Sequence, residues 1–266
     1  MWRFLKKHWL AVAIWALLIF PTANFLLASA ALITYMYWPF FYGQESFAVI
    51  DFSQFKANQS HMVVLAHGVK DDPNTWIKPL EATYEQAGYR GQIIGIDWSA
   101  YAQGTLRCAI SGKRIGRLIG ERIAADENIR SVHFIGHSCG AFVIYGACQA
   151  VKQHRKTISV QATYLDPVSV YGLFWDYGVE HFGDCGDYSE AYIDTEDGVP
   201  GSNQLLPHCH TYDVTAVRKR SDYHSTPHMW PVHYYQQLVA TNRAPDLRND
   251  AALPNVKPAG ILEIVE

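Results

Sequence analysis

The chain has 266 residues, of which 49% are hydrophobic and 18% charged. That is enough apolar matter for one sizeable α/β domain with its own core. The formal net charge is −3, and no basic run marks a nucleic-acid surface, so no nucleic-acid partner is expected. The charge is uneven: residues 1–44 carry Arg3, Lys6 and Lys7 and no acid, and the remainder holds 19 basic against 25 acidic residues.

The first element is apolar. Between Trp9 and Gln44 there is no charged side chain, and a bilayer-spanning helix needs about 20 such residues. The basic residues stand before it, while Glu45 and Asp51 follow. This predicts an N-terminal membrane anchor over 1–44 with the N-terminus cytoplasmic and the domain at 45–266 extracytoplasmic. Two other readings compete. A signal peptide cleaved near Ala28-Ser29-Ala30 would secrete the domain. A helical hairpin broken at Pro21 would leave it in the cytoplasm.

Beyond Gly43 short apolar runs alternate with amphipathic ones. Strands are predicted at 47–52, 62–68, 92–98, 131–136 and 158–166, and helices at 75–87, 105–125 and 141–154. Such alternation implies a mostly parallel sheet covered by helices on both faces. Residues 167–207 read as a long, lid-like excursion, and loops of that length are usually functional. A late strand at 211–217, a last helix at 228–240 and a possible edge strand in the tail GILEIVE complete the pattern.

The chemistry centres on FIGHSCGAF at 134–142. A serine hydroxyl is a weak nucleophile that needs a base, and the base needs an orienting carboxylate. A strand–turn–helix elbow lifts the serine clear, and glycines two residues to either side (Gly136 and Gly140) relieve the crowding. Upstream, AHG at 66–68 ends a strand, so the amides of Val69 and Cys139 are the candidate oxyanion donors, worth ~3 kcal/mol each. The hydrolase chain order of serine, acid, histidine selects Ser138, Asp166 in TYLDPV and His228 in STPHMWPVHYY. Asp213 is the alternative acid, and His224 and His233 are alternative bases. His67 and His137 are expected to hold loops by hydrogen bonds.

With these residues in place the sequence resembles the pancreatic-lipase-type branch of the α/β-hydrolases. The matching stretches are VLAHGVKDDPNTW (64–76), IDWSAYA (96–102), HFIGHSCGA (133–141) and YLDPV (164–168). The resemblance covers roughly residues 60–170 and implies an α/β-hydrolase fold, lipid-ester substrates, the LDP aspartate (Asp166) as acid and His228 as base. It departs from that branch in three ways: the common GHSLG is GHSCG here, no C-terminal lipid-binding domain like that of the animal enzymes is read in this sequence, and no lid pattern is recognisable in 167–207.

Other signals are weaker. Gly112, Gly116 and Gly120 recur on one helix face and are expected to allow close packing on the sheet. His208, Cys209 and His210 are adjacent, but neighbours in an extended chain point to opposite sides, so no metal site and no cofactor is expected. Cys185 and Cys209 flank a glycine- and acid-rich loop and would form a disulfide in an oxidising compartment; the alternative is five free thiols. Tyr171, Phe174, Trp175 and Tyr177 form either core or an apolar rim for an acyl chain. The expectation is a membrane-anchored serine hydrolase acting on lipid or small esters. The alternatives are an amide or peptide hydrolase on the same fold, or a catalytically silent, membrane-tethered binding protein.

Overall fold

The computed structural model describes residues 2–37, 51–55, 59–201, 203–244 and 257–266. The chain divides into two compact units, Met1–Gly43 and Gln44–Glu266.

The described residues of the first unit form one helix, α1 (Trp2–Tyr37). It runs uninterrupted through Pro21, so the break that the alternative hairpin reading required is not found. Thr22 donates its hydroxyl to the carbonyls of Leu18 and Ile19, and Asn24 donates to Phe20. These polar side chains are therefore satisfied inside the helix, as an apolar medium requires. The segment Leu17–Tyr37 has a mean hydropathy of 1.9 and is long and apolar enough to cross a membrane.

Among the described residues, the second unit is built on a seven-stranded parallel sheet of order β2-β1-β3-β4-β5-β6-β7. The strands are β1 (His61–Ala66), β2 (Gln92–Ile96), β3 (Ser131–His137), β4 (Ser159–Leu165), β5 (Tyr188–Ile193), β6 (His210–Asp213) and β7 (Ile261–Ile264). The main helices are α2 (Ile77–Gln86), α3 (Cys108–Ala124), α4 (Gly140–His154) and α7 (Trp230–Ala240), with short α5 (Tyr177–His181) and α6 (Thr215–Arg220). Two apolar clusters form the core. One joins the sheet to α3 and α4 through Phe134, Ile115 and Val143; the other joins it to α2 and α7 through Leu65, Leu80 and Trp230. Parallel strands covered on both faces read as continuous apolar runs, which is why β1, β3 and β4 were predictable within two residues.

Three expectations need correction. The region 167–207 is not all excursion, because β5 lies within it and pairs β4 on one side and β6 on the other. The late strand ends at Asp213 and gives way to α6, so only its first half is strand. The glycines of α3 face α4, not the sheet: a Cβ at Gly116 would stand 1.9 Å from the Val143 carbonyl oxygen, and one at Gly120 2.3 Å from that of Ala147. The strand expected at 47–52 lies mostly outside the described residues; Asp51 and Phe52 are not strand.

Candidate functional site

Ser138 sits at the turn between β3 and α4 and has φ +55°, a left-handed conformation costly for a side chain with a Cβ. Its neighbours leave no alternative to glycine. A Cβ at Gly136 would meet the Gly140 carbonyl oxygen at 2.7 Å, and one at Gly140 would meet that of Ala66 at 2.2 Å. The turn is joined to the end of β4: Ser138 N–H donates to Leu165 O (3.0 Å), and Val168 N–H donates to Ser138 O (3.2 Å). Ser138 is 4% exposed.

The AHG loop lies directly over this turn. A Cβ on Gly68 would be 2.9 Å from Ser138 Cβ and 3.3 Å from its Oγ. His67 is fully buried and braces the loop, its Nδ1–H donating to Gly68 O (3.0 Å). Trp98, of the IDWS stretch, donates its indole N–H to His67 O (2.9 Å) and stacks on the His67 ring. The tryptophan thus serves the loop rather than the chemistry. Burial lowers the pKa of His67, keeping it neutral.

His228 belongs to a 3-10 turn, Pro227–Met229, just before α7. Its carbonyl accepts a hydrogen bond from His137 Nε2–H (2.9 Å), and the two rings lie 4.7 Å apart. His137, adjacent to Ser138, is held neutral by burial, with its pKa lowered to about 3. His67 and His137 therefore act as loop braces, as their positions suggested.

Two carboxylates face the His228 ring. Asp197 Oδ2 accepts from Nδ1–H at 2.7 Å, and Asp166 Oδ2 lies 3.5 Å from the same nitrogen. Asp166 follows β4, has φ +41° and is fully buried. Its Oδ1 accepts from Asp194 N–H (2.9 Å), while its Oδ2 has no hydrogen-bond partner. Burial raises the Asp166 pKa, against the lowering effect of His228. Burial alone would lower His228, but the two facing carboxylates, Asp166 and Asp197, outweigh it and raise its pKa to about 9. Asp197 had no sequence signal. It stands in the acid-rich loop after β5, in a turn closed by its N–H on Asp194 O (3.0 Å).

The rival residues lie elsewhere. Asp213 accepts from Thr195 and Thr215. His224 is exposed, and His233 is exposed beside Gln237 and Tyr223. His208, Cys209 and His210 do not converge: His208 is exposed, Cys209 donates to Phe182 O, and His210 is engaged with Pro258 O and Glu263. The expected Cys185–Cys209 disulfide is replaced by Cys108–Cys139 and Cys148–Cys185, with Cys209 free and buried. Cys139 is thus tied to the start of α3. The aromatic cluster divides. Tyr171 and Tyr177 stack at 4.7 Å against Phe142, whereas Leu173, Phe174 and Trp175 are exposed.

No protein-family model and no curated protein matches the chain. Among solved structures, the chain is similar to a protein of Xanthomonas campestris pv. campestris assigned to the hydrolases of the α/β superfamily. That match has 16% identity, spans 69% of this chain and 98% of that one, and has a TM-score of 0.43. It is also similar to a lipase-esterase related protein of Clostridium acetobutylicum, with 10% identity, 73% and 96% coverage and a TM-score of 0.42. A third is lipase B of Aspergillus fumigatus, with 13% identity, 55% and 40% coverage and a TM-score of 0.35. The parallel sheet, its strand order and the strained serine turn between β3 and α4 give the second unit an α/β-hydrolase fold.

Proposed function

We propose that the chain is a serine hydrolase that cleaves carboxylic esters, with lipid or acyl esters as its substrate class. The observation that carries this reading is the strained Ser138 turn, lying under the Gly68 loop and beside the His137–His228 contact. Ser138 attacks the ester carbonyl while His228 takes its proton and passes it to the leaving alcohol. Asp166 and Asp197 hold the ring through Nδ1, which leaves Nε2 as the base. The backbone amides of Val69 and Cys139 receive the developing oxyanion. Water then releases the acid.

The LDP position of Asp166 supports placing the chain with the pancreatic-lipase-type branch. The exposed Leu173, Phe174 and Trp175, a few residues past Asp166, and the apolar helix Leu17–Tyr37 favour a lipid substrate. We read that helix as a single-pass anchor with the catalytic unit extracytoplasmic. The flanking Arg3, Lys6 and Lys7 support this orientation, and two disulfides suit an oxidising compartment.

The test is covalent labelling of the purified full-length protein with a fluorophosphonate probe, beside hydrolysis of p-nitrophenyl esters of rising acyl length. The wild type is expected to label once, and Ser138→Ala to lose both labelling and hydrolysis. Labelling that survives Ser138→Ala would overturn the reading.

A further inference from the structure

The cluster around His228 holds more ligand capacity than a serine-activating histidine needs. One imidazole N–H can satisfy one carboxylate, and Asp197 receives it. That leaves Asp166 Oδ2, on a fully buried side chain, aimed at the same ring with no donor. A buried acceptor left empty is costly, and a bound cation would satisfy it. The geometry points to a divalent-cation site formed by Asp166, Asp197 and His228 Nδ1, at which a zinc-class ion switches the proposed hydrolase off.

The distances fit such an ion. The ligand atoms of all three residues lie within 4.8 Å of one another, and His228 Nδ1 is 2.7 and 3.5 Å from the two oxygens. Zinc bonds of about 2.0–2.2 Å place neighbouring ligand atoms of a tetrahedron roughly 3.3 Å apart. Two carboxylates and an imidazole suit Zn²⁺ or Co²⁺; Ca²⁺ asks for six to eight oxygens and Mg²⁺ for a near-ideal octahedron. Three protein ligands leave the fourth position to water. The site opens to solvent at His228, whose side chain is 21% exposed, while Asp166 forms its floor.

The consequence rests on the proposed serine mechanism. An ion on Nδ1 takes the nitrogen that otherwise donates to the carboxylates. The single ring proton then stands on Nε2, facing the serine side, and the ring has no lone pair to accept the Ser138 proton. Removal of the ion restores the Nδ1–H tautomer and the base. The inhibition is therefore reversible and competes with neither substrate nor oxyanion hole.

The test uses full-length protein in detergent, freed of metal by a chelator. One equivalent of Co²⁺ is expected to give the visible absorption band of a four-coordinate N/O site. Zn²⁺ should displace it and depress fluorophosphonate labelling at least tenfold, with recovery on adding chelator. Asp197→Asn and Asp166→Asn should each weaken Co²⁺ binding at least tenfold, and Asp213→Asn should leave it unchanged. If Asp197→Asn does not fold, His228→Gln carries the same test and should abolish the band. Co²⁺ binding that is absent in the wild type, or equal in the wild type and in the Asp166, Asp197 and His228 variants, overturns the site. Stoichiometric binding without loss of labelling overturns the switch. Metal-free protein that never labels overturns the hydrolase reading instead and leaves the site standing.

Discussion

At the scale of single residues, the two carboxylates on His228 make distinct predictions. Each stabilises the imidazolium, so removing either lowers the His228 pKa from about 9. A base must be unprotonated to act, so wild-type kcat/KM should climb through alkaline pH toward a limb near that value. In Asp197→Asn the limb should move to lower pH, which a pH–rate profile of ester hydrolysis reads directly. Each single Asp→Asn change should cost about 10- to 100-fold in kcat/KM, because the other acid still orients the ring. The double variant should lose about 10⁴-fold, the scale of losing a triad acid altogether. A single change that alone gives the full loss would identify one acid as sufficient. Ser138, Asp166 and His228 could be nominated as candidates because each sits in a local pattern: an elbow, a strand end, the residue before a helix. Asp197 could not, since Asp194, Glu196 and Asp197 form an undifferentiated acidic loop. Only the pairing of β5 beside β4 brings the last of them to the ring.

At the scale of elements, β5 shows where pattern reading failed. Its sequence YSEAYI carries a serine and a glutamate, yet all six residues are buried. Glu190 survives there because Thr163 donates to one oxygen (2.8 Å) and Tyr188 and Tyr192 donate to the other. Burial raises its pKa to about 7, against those hydrogen bonds. A strand whose buried polar residues are satisfied by tyrosines two positions away and by Thr163 of the neighbouring strand has neither alternation nor an apolar run, the two signals a strand normally gives. The α3–α4 contact shows the opposite case, in which the sequence displays the feature and only its partner was misjudged. Gly112, Gly116 and Gly120 lie along one face of α3, and the Cβ clashes of Gly116 and Gly120 fall on the α4 backbone. Because α4 begins just after Ser138, this packing also seats the serine turn. Gly116→Ala forces a methyl to within 1.9 Å of the Val143 carbonyl oxygen, so the helices must separate. The expected cost is about 3 kcal/mol, or roughly 6–12 °C in Tm for a unit of this size, measured by thermal unfolding.

At the scale of the whole molecule, the cysteines tie the site to its supports. Cys108 opens α3 and Cys139 follows the serine, so their disulfide joins the serine turn to the first turn of α3. Cys148 of α4 is joined to Cys185, which precedes β5. Spacing along the chain could not reveal these pairs, because they connect residues 31 and 37 positions apart, the first joining α3 to the start of α4 and the second joining α4 to the segment before β5, neighbours that only the fold supplies. Cys209, the expected partner of Cys185, is instead buried, with its sulfur on Phe182 O. The pairing makes a prediction that needs no assay of activity. Thiol titration in denaturant without reductant should find one reactive thiol, Cys209, and after reduction all five. Five thiols before reduction would exclude both disulfides. Closing a loop of this length restricts the unfolded chain by about 3–4 kcal/mol in the chain-entropy model, so reduction should lower Tm by roughly 10 °C per disulfide. Cys108→Ser should reproduce part of that loss and also slow fluorophosphonate labelling, because Cys139 carries a proposed oxyanion amide. Cys209→Ser breaks no cross-link and should leave labelling at the wild-type rate. A variant pair that behaves the other way would mean that Cys209, not Cys108, holds the serine turn in place.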